Sequence, residues 1–238
     1  MRSIQDIIRS VVPLFGPIHL ALTAAIALVS AALALLSRHG RIRHRPLRLA
    51  LGYGLAANEV AWWIFRYAHE GVHTGNLPLQ LSDAALWATV AACLTLAPRA
   101  VEFAYFAGLA GPGMAILTPD LWTPWPSYPA IYFFVAHGGT VAAVAALVFG
   151  RIAPLGRGAL RRAIIMLLAF SAFDGAFDAL FHTNYMFLRH KPARPSLLDV
   201  FGSWPIYLAP ALAVALVLFW LLWLPVRPSP EEYSGQSR

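Results

Sequence analysis

The stretch VPLFGPIHLALTAAIALVSAALALLSRHGRIRHRPLR, residues 12–48, decides the class of fold of this chain. It begins with an apolar run over residues 12–37 and continues directly into a cluster of arginines. A run of about 20 apolar residues crosses a bilayer as a helix, and flanking arginines stay at the membrane surface. The run is also longer than the apolar core of a signal peptide, which has about 7–15 residues. We therefore predict a retained membrane helix with the amino terminus outside.

The composition of the whole chain is typical of a membrane protein. Of the 238 residues, 59% are hydrophobic and 12% are charged, and the mean hydropathy is +0.62. Soluble domains carry about 25% charged residues, so these values argue against a water-soluble globule. The net charge of +7 comes from arginines between the apolar runs, which indicates membrane topology, and we expect no nucleic-acid partner. The single cysteine, Cys93, excludes a disulfide framework.

Seven apolar runs are long enough to span a bilayer. They cover residues 12–37, 47–67, 77–97, 100–118, 128–150, 163–183 and 204–224. This arrangement places twelve of the 18 lysines and arginines on the inner side and five on the outer side, as the positive-inside tendency requires. We predict an all-α bundle of seven transmembrane helices over residues 1–226, followed by a disordered cytoplasmic tail over residues 227–238. Six spans stay open as an alternative, because the third and fourth runs are separated only by a tight turn.

Polar side chains inside these runs are the candidates for a functional site. An ionisable group in a bilayer costs about 2.5–3.5 kcal/mol and therefore needs a partner or a function. Counted at about 1.5 Å per helical residue, six of these side chains share the outer half of the bundle. They are His19, Glu59, Ser82, His137, Asp174 and Asp178. Because lipid-facing polar groups would scatter in depth, this shared depth predicts a polar cavity in the outer half.

Each of these residues also has a purely structural interpretation. His137 can act as a general base if a nucleophile and an orienting carboxylate are close, but a hydrogen-bonded core histidine fits the residues equally well. A membrane-helix serine such as Ser82 often bonds the carbonyl four residues earlier. Glu59 lies two helical turns from Arg66, so an ion pair competes with a catalytic role.

Asp174, Asp178 and His182 recur every four residues and share one helix face in the predicted helix. Carboxylates and an imidazole can bind a metal ion. The row is about 12 Å long, however, so at most two of the three could ligate one ion. A buried polar stripe and a proton path stay open as alternatives, and we expect no metal and no cofactor.

Six motifs distributed from the first span to the last resemble a known family. They are Phe15-Gly16-Pro17-Ile18-His19, Leu77-Pro78-Leu79-Gln80-Leu81, Glu102-x-x-Tyr105-Phe106-x-Gly108, Ala136-His137-Gly138, Asn184-Tyr185-Met186-Phe187-Leu188 and Trp204-Pro205-x-Tyr207. As a set they resemble the YwaF-like integral membrane proteins, the bacterial relatives of transmembrane protein 164. This resemblance implies a protein of the bacterial inner membrane.

The resemblance also implies an activity. The animal member of the family is regarded as a phospholipid acyltransferase with a cysteine nucleophile and a histidine. The histidine corresponds to His137, and the cysteine position holds Ser82 in this chain. Membrane lipid hydrolases of the androgen-induced protein type use a hydroxyl nucleophile, which makes the replacement chemically plausible. The resemblance thus implies acyl transfer or ester hydrolysis on a membrane lipid, in which Ser82 attacks, His137 takes its proton, and Glu59 or Asp83 orients the imidazole.

Further residues of the matching motifs are expected to bind the substrate. These are His19, Gln80, Tyr105, Asn184 and Tyr185. Three alternatives stay open: a proton- or cation-coupled transporter or channel, a metal-dependent lipid hydrolase using the row of Asp174, Asp178 and His182, and a purely structural role.

Overall fold

The computed structural model describes residues 12–119, 121, 123–192 and 196–227, and within these ranges its regular elements are helices. The predicted tail beyond Arg227 lies outside the described residues. The described residues form seven α-helices: α1 (Pro17–Arg38), α2 (His44–Glu70), α3 (Leu81–Thr95), α4 (Pro98–Leu117), α5 (Tyr128–Val148), α6 (Ala159–Phe181) and α7 (Leu208–Trp223). Single turns of 3-10 helix cover Thr74–Asn76, Tyr185–Phe187, Leu197–Phe201 and Leu224–Val226. The predicted all-α class is confirmed.

Five of the seven helices are long and apolar enough to cross a membrane, namely α1, α4, α5, α6 and α7 with its 3-10 extension. Helix α2 has 27 residues but is more polar, and α3 has only 15 residues. Helix α3 begins at Leu81 rather than at the predicted residue 77, because the backbone at Leu77 and Gln80 is extended. The seven helices therefore match the predicted number of runs, whereas seven complete membrane crossings stay a prediction.

Contacts between helix ends show that neighbouring helices run in opposite directions. Arg48, near the start of α2, donates hydrogen bonds of 2.6 and 2.8 Å to the carbonyls of Cys93 and Leu94, at the end of α3. Tyr105, in the first half of α4, donates a 2.7 Å hydrogen bond to the carbonyl of Leu222, near the end of α7. The starts of α2 and α4 thus lie at the same end of the bundle as the ends of α3 and α7.

We call this end the arginine-rich end. The arginines that the topology brings to it are Arg38, Arg41, Arg43, Arg45, Arg48, Arg99, Arg151, Arg157, Arg161, Arg162 and Arg227. Among the described residues at this end, Glu102 is the only carboxylate. It is buried, and it accepts hydrogen bonds from Arg99 at 3.1 Å and from Arg162 Nε at 2.8 Å, and a second from Arg162. This ion pair joins the start of α4 to the start of α6.

At the opposite end, Tyr185 ties two connections together. Its hydroxyl accepts a 2.8 Å hydrogen bond from the backbone N–H of Leu77 and donates a 2.6 Å bond to the carbonyl of Thr74. Asp178, at the end of α6, accepts from the Thr183 hydroxyl at 2.6 Å and from the Tyr185 backbone N–H at 2.9 Å. The α6–α7 connection is therefore fixed to the segment that leads into α3.

Helix α5 lies at the centre of the bundle, where glycines allow two neighbours to approach closely. A Cβ atom at Gly138 would lie 2.7 Å from the side chain of Ile26 on α1, and one at Gly139 would lie 2.9 Å from Leu55 on α2. Small residues at helix interfaces permit this packing in membrane proteins. The glycine pair brings α1 and α2 against α5 immediately after His137.

Candidate functional site

A small polar cavity lies between α3, α4 and α5, in the half of the bundle opposite the arginine-rich end. Its volume is about 10 Å³, which is room for about one water molecule. The lining residues are Ser82, Asp83, Leu86, Pro112, Tyr132, Ala136, His137 and Thr140. Three of the four predicted catalytic residues, Ser82, Asp83 and His137, thus line one cavity.

Ser82 occupies the first turn of α3. The helix begins at Leu81, and the carboxylate of Asp83 caps it by accepting a 3.0 Å hydrogen bond from the backbone N–H of Gln80. The N–H of Asp83 bonds the carbonyl of Gln80 at 3.0 Å, so the N–H groups of Leu81 and Ser82 form the positive end of the helix dipole. Ser82 therefore lies at the positive end of α3 and beside the carboxylate-bearing residue Asp83 in the cavity lining.

The imidazole of His137 has one ring nitrogen engaged by its own helix. Nδ1 lies 2.8 Å from the carbonyl oxygen of Phe133, so Nδ1 carries the hydrogen and donates. In the neutral ring Nε2 is then the proton acceptor. We predicted that Glu59 or Asp83 orients the imidazole. In the structure Nδ1 bonds the backbone carbonyl of Phe133 and neither carboxylate, so this prediction is corrected.

Glu59 is linked to the cavity through Tyr132. The carboxylate is fully buried and accepts a 2.7 Å hydrogen bond from the hydroxyl of Tyr132, which lines the cavity. The Tyr132 ring stacks on Trp62, with centroids 4.2 Å apart. The alternative ion pair between Glu59 and Arg66 does not form, because Arg66 pairs with Glu70 at 2.9 Å.

Tyr132 is a cavity residue that the sequence analysis missed. It lies within the aromatic run Tyr132-Phe133-Phe134, which reads as apolar lining. One signal could have found it. Tyr132 lies in the helix turn before His137, and a buried tyrosine hydroxyl usually needs a polar partner such as a side chain of the predicted polar cavity.

Two of the residues predicted to bind substrate form hydrogen bonds within the fold, and their substrate role stays a prediction. His19 is buried, and its Nδ1 accepts a 2.9 Å hydrogen bond from the Phe15 backbone N–H, while its Nε2 lies 2.8 Å from the carbonyl of Ile116. The hydroxyl of Tyr105 bonds the carbonyl of Leu222 towards the arginine-rich end, away from the cavity. The polar atoms of both side chains are therefore engaged by the protein itself.

Gln80, Asn184 and Tyr185, also predicted to bind substrate, build the rim above α3. The Gln80 side-chain carbonyl accepts a 3.1 Å hydrogen bond from the backbone N–H of Met186. The Asn184 side chain accepts from the backbone N–H groups of Arg189 at 2.9 Å and His190 at 3.0 Å. These residues hold the connection that anchors the start of α3, and with it Ser82.

The row of Asp174, Asp178 and His182 does not form a metal site. Helix α6 ends at Phe181, and His182 has a left-handed backbone with φ of 57° and is exposed, so it leaves the helical row. Within the described ranges, no group of three or more potential metal ligands occurs. Asp174 is buried, and both of its carboxylate oxygens lack a hydrogen-bond partner in the described part of the chain.

The fold and the cavity define a class of protein: a helical membrane protein with a polar cavity enclosed by its helices. The model of the TMEM164 family matches residues 14–224, so the chain belongs to that family. This match confirms the resemblance inferred from the six motifs. No curated protein and no solved structure matches the chain.

Proposed function

We propose that the protein is a lipid acyltransferase or lipid ester hydrolase that uses Ser82 as its nucleophile and His137 as its general base. The observation that carries this proposal is that both side chains line one polar cavity although they come from different helices. A hydroxyl and an imidazole that line one cavity, with Nε2 as the acceptor atom of the ring, are the two groups that nucleophilic acyl transfer requires.

The reaction consists of two acyl transfers. Ser82 Oγ attacks the ester carbonyl carbon and gives its proton to Nε2 of His137, which leaves a tetrahedral oxyanion near the positive end of the α3 dipole. Collapse of this intermediate breaks the ester C–O bond, and the leaving alkoxide takes the proton from His137. The acyl group remains on Ser82 until the hydroxyl of an acceptor lipid, or water, attacks it with the same histidine as base.

An apolar groove supports a substrate with acyl chains. It has a volume of about 280 Å³ and is lined by residues of α1, α4, α5 and α7, among them Ile26, Leu109, Val141 and Leu218. Gly113, which lines this groove, directly follows Pro112, which lines the polar cavity. The groove and the polar cavity therefore meet the same turn of α4 on different faces of that helix.

The test is covalent labelling of the purified full chain with a fluorophosphonate probe, followed by peptide mass spectrometry. We expect label on Ser82 in the wild type and its loss in Ser82→Ala and His137→Ala. Each variant has a matched control. Ser30→Ala removes another membrane-helix hydroxyl, which donates to the Ile26 carbonyl at 2.7 Å.

His69→Ala is the control for the histidine. His69 repeats the local geometry of His137. Its Nδ1 lies 2.7 Å from the carbonyl oxygen of Phe65, and its ring centroid lies 4.2 Å from that of Phe65, the same distance as between His137 and Phe133. His69, however, lies on the exposed end of α2. Both controls should label like the wild type. A folded wild type that takes up no label, or label that persists in Ser82→Ala, would contradict the proposal.

A proton- or cation-coupled transport function is the second candidate, and Asp174 is the observation that favours it. Its two buried carboxylate oxygens, and Oε1 of Glu59, have no hydrogen-bond partner among the described residues. Buried carboxyl groups of this kind mark proton pathways in membrane transporters.

Proton flux into vesicles that contain the protein separates the two functions. Transport predicts a flux that Asp174→Asn abolishes and that Asp199→Asn, in the exposed Leu197–Phe201 turn, leaves unchanged. If vesicles with the wild-type protein take up protons no faster than empty vesicles, proton transport is excluded. The same measurement with a sodium or potassium gradient tests cation transport.

A further inference from the structure

A second pocket lies at the arginine-rich end, outside the site described above. Its volume is about 460 Å³, and it is lined by Leu35, Leu36, His39 and Arg41. One wall is apolar and belongs to the last turns of α1, where the side chains of Leu35 and Leu36 are 55% and 40% exposed. The other wall carries an imidazole and a guanidinium.

The backbone fixes the polar wall relative to the apolar one. The N–H of Arg41 donates a 2.8 Å hydrogen bond to the carbonyl of Leu36, and the N–H of Gly40 donates a 3.1 Å bond to the carbonyl of Ser37. This pair of bonds, with Gly40 at a φ of +66°, is the Schellman motif that ends many helices. It holds the Arg41 backbone against the last turn of α1, so the backbone of the polar wall needs no rearrangement when a ligand binds.

The charge around this pocket is unbalanced. Arg38, Arg41, Arg43 and Arg45 are exposed, and none of them forms an ion pair within the described ranges. Glu102, the described carboxylate at this end, is already engaged by Arg99 and Arg162. The pocket therefore presents positive charge that an external anion can neutralise.

We propose that this pocket binds an anionic phospholipid. The phosphate lies beside Arg41 and His39, and one acyl chain lies along Leu35 and Leu36. A lipid fits better than a free phosphate or a nucleic acid, because half of the pocket is the apolar surface of a helix that is long and apolar enough to cross the membrane. Clusters of basic residues next to the end of a membrane helix attract anionic lipid headgroups. The inference does not depend on the activity proposed above.

The experiment is a lipid titration of the full chain in detergent, read by native mass spectrometry. We expect phosphatidylglycerol to bind more tightly than phosphatidylcholine with the same acyl chains. Arg41→Gln should weaken phosphatidylglycerol binding about fivefold, which corresponds to about 1 kcal/mol per arginine near a membrane surface. Arg45→Gln is the matched control, since it removes an exposed arginine at the same end that does not line the pocket, and it should change binding less than about twofold.

A second variant tests the apolar wall. Leu36→Gln should also weaken phosphatidylglycerol binding, whereas glycerophosphoglycerol, the headgroup without chains, should not compete in the wild type. Equal losses in Arg41→Gln and Arg45→Gln would indicate a diffuse positive surface and overturn the proposal. Equal binding of the two lipids, or full competition by the chain-free headgroup, would overturn it as well.

Discussion

Ser82 is the second residue of α3, and its hydroxyl lines the cavity at the point where the helix exposes its first N–H groups. Cys93 lies eleven residues further along the same helix and is fully buried. This separation corresponds to about 16 Å along the helix axis. The only thiol of the chain is therefore on the same helix as the proposed nucleophile but too far away to replace it.

A thiol introduced at position 82 should react faster than the thiol of Cys93, because position 82 faces the cavity and Cys93 is fully buried. We expect Ser82→Cys to react with a small alkylating reagent in the folded protein, because Ser82 is only half-buried and faces a cavity. Cys93 should stay unmodified until the protein unfolds, because it has no exposed surface. Peptide mass spectrometry reads both sites in one sample. Modification of Cys93 before position 82 would contradict the placement of the two residues.

The hydroxyl of Tyr132 should contribute measurably to stability, since it donates to the buried carboxylate of Glu59. Tyr132→Phe leaves that carboxylate without this bond, at a cost of about 1–3 kcal/mol. We expect a lower melting temperature in detergent. Tyr128→Phe is the control, because Tyr128 is 37% exposed and packs against Trp62 and Phe65 through its ring. A melting temperature that falls equally in both variants would contradict this role of Tyr132.

The sequence could predict individual members of the cavity but not their hydrogen bonds. Ser82 and His137 were predictable because polar side chains at the same depth of different helices tend to meet. The bond from Tyr132 to Glu59 was not, because it depends on the rotation of α2 against α5. Motif residues such as His19 and Tyr105 were assigned to substrate binding because a motif does not distinguish residues that hold a fold from residues that bind a ligand.

At the scale of elements, the close approach of α1 to α5 depends on Gly138. We expect Gly138→Ala to destabilise the protein by about 1–3 kcal/mol, because its Cβ would lie 2.7 Å from Ile26 and force a shift. Gly113→Ala is the matched control in a membrane helix, since nothing lies within 4 Å of the added carbon. Thermal unfolding in detergent measures both variants.

A double variant makes this prediction sharper. Ile26→Ala removes the atoms that the new Cβ would meet, so Gly138→Ala should cost less in its presence than alone. An unchanged cost would show that the strain arises elsewhere in α5.

The apolar runs predicted the number of helices but not all of their ends. Run lengths follow from hydropathy, whereas ends depend on local backbone geometry. The segment before α3 is extended although it is apolar, and α6 ends one residue before His182. That single residue separates His182 from the aspartate row, so the three side chains that share a face in the predicted helix do not share one in the structure.

At the scale of the whole molecule, Glu102 joins α4 to α6 at the arginine-rich end. We expect Glu102→Gln to destabilise the protein, because Glu102 is buried and the substitution removes the charge that pairs with Arg162 and Arg99 and joins α4 to α6. Glu70→Gln is the control, since its pair with Arg66 is 31% and 49% exposed and contributes about 1 kcal/mol or less. Equal melting temperatures of the two variants would contradict the structural role of Glu102.

The sequence indicated the alternating direction of the helices, because arginines concentrate in every second connection. It could not indicate that Glu102 meets Arg162, since the two residues are 60 positions apart and only the packing of α4 against α6 brings them together. In the sequence Glu102 stands out only as the first residue of the motif Glu102-x-x-Tyr105-Phe106-x-Gly108. The sequence could not indicate the contact between Tyr185 and the segment before α3 either, because more than 100 positions separate them.

That contact has a consequence for the order in which the protein matures during synthesis. Thr74 and Leu77 leave the ribosome about 110 residues before Tyr185, the residue whose hydroxyl bonds both of their backbones. Helices α3, α4 and α5, which contain every residue that lines the polar cavity, are thus made before the rim that anchors α3 exists. A nascent chain arrested before Tyr185 would carry all of these residues with the start of α3 untethered. The tie between the start of α3 and the α6–α7 connection can therefore form only after Tyr185 has been synthesised.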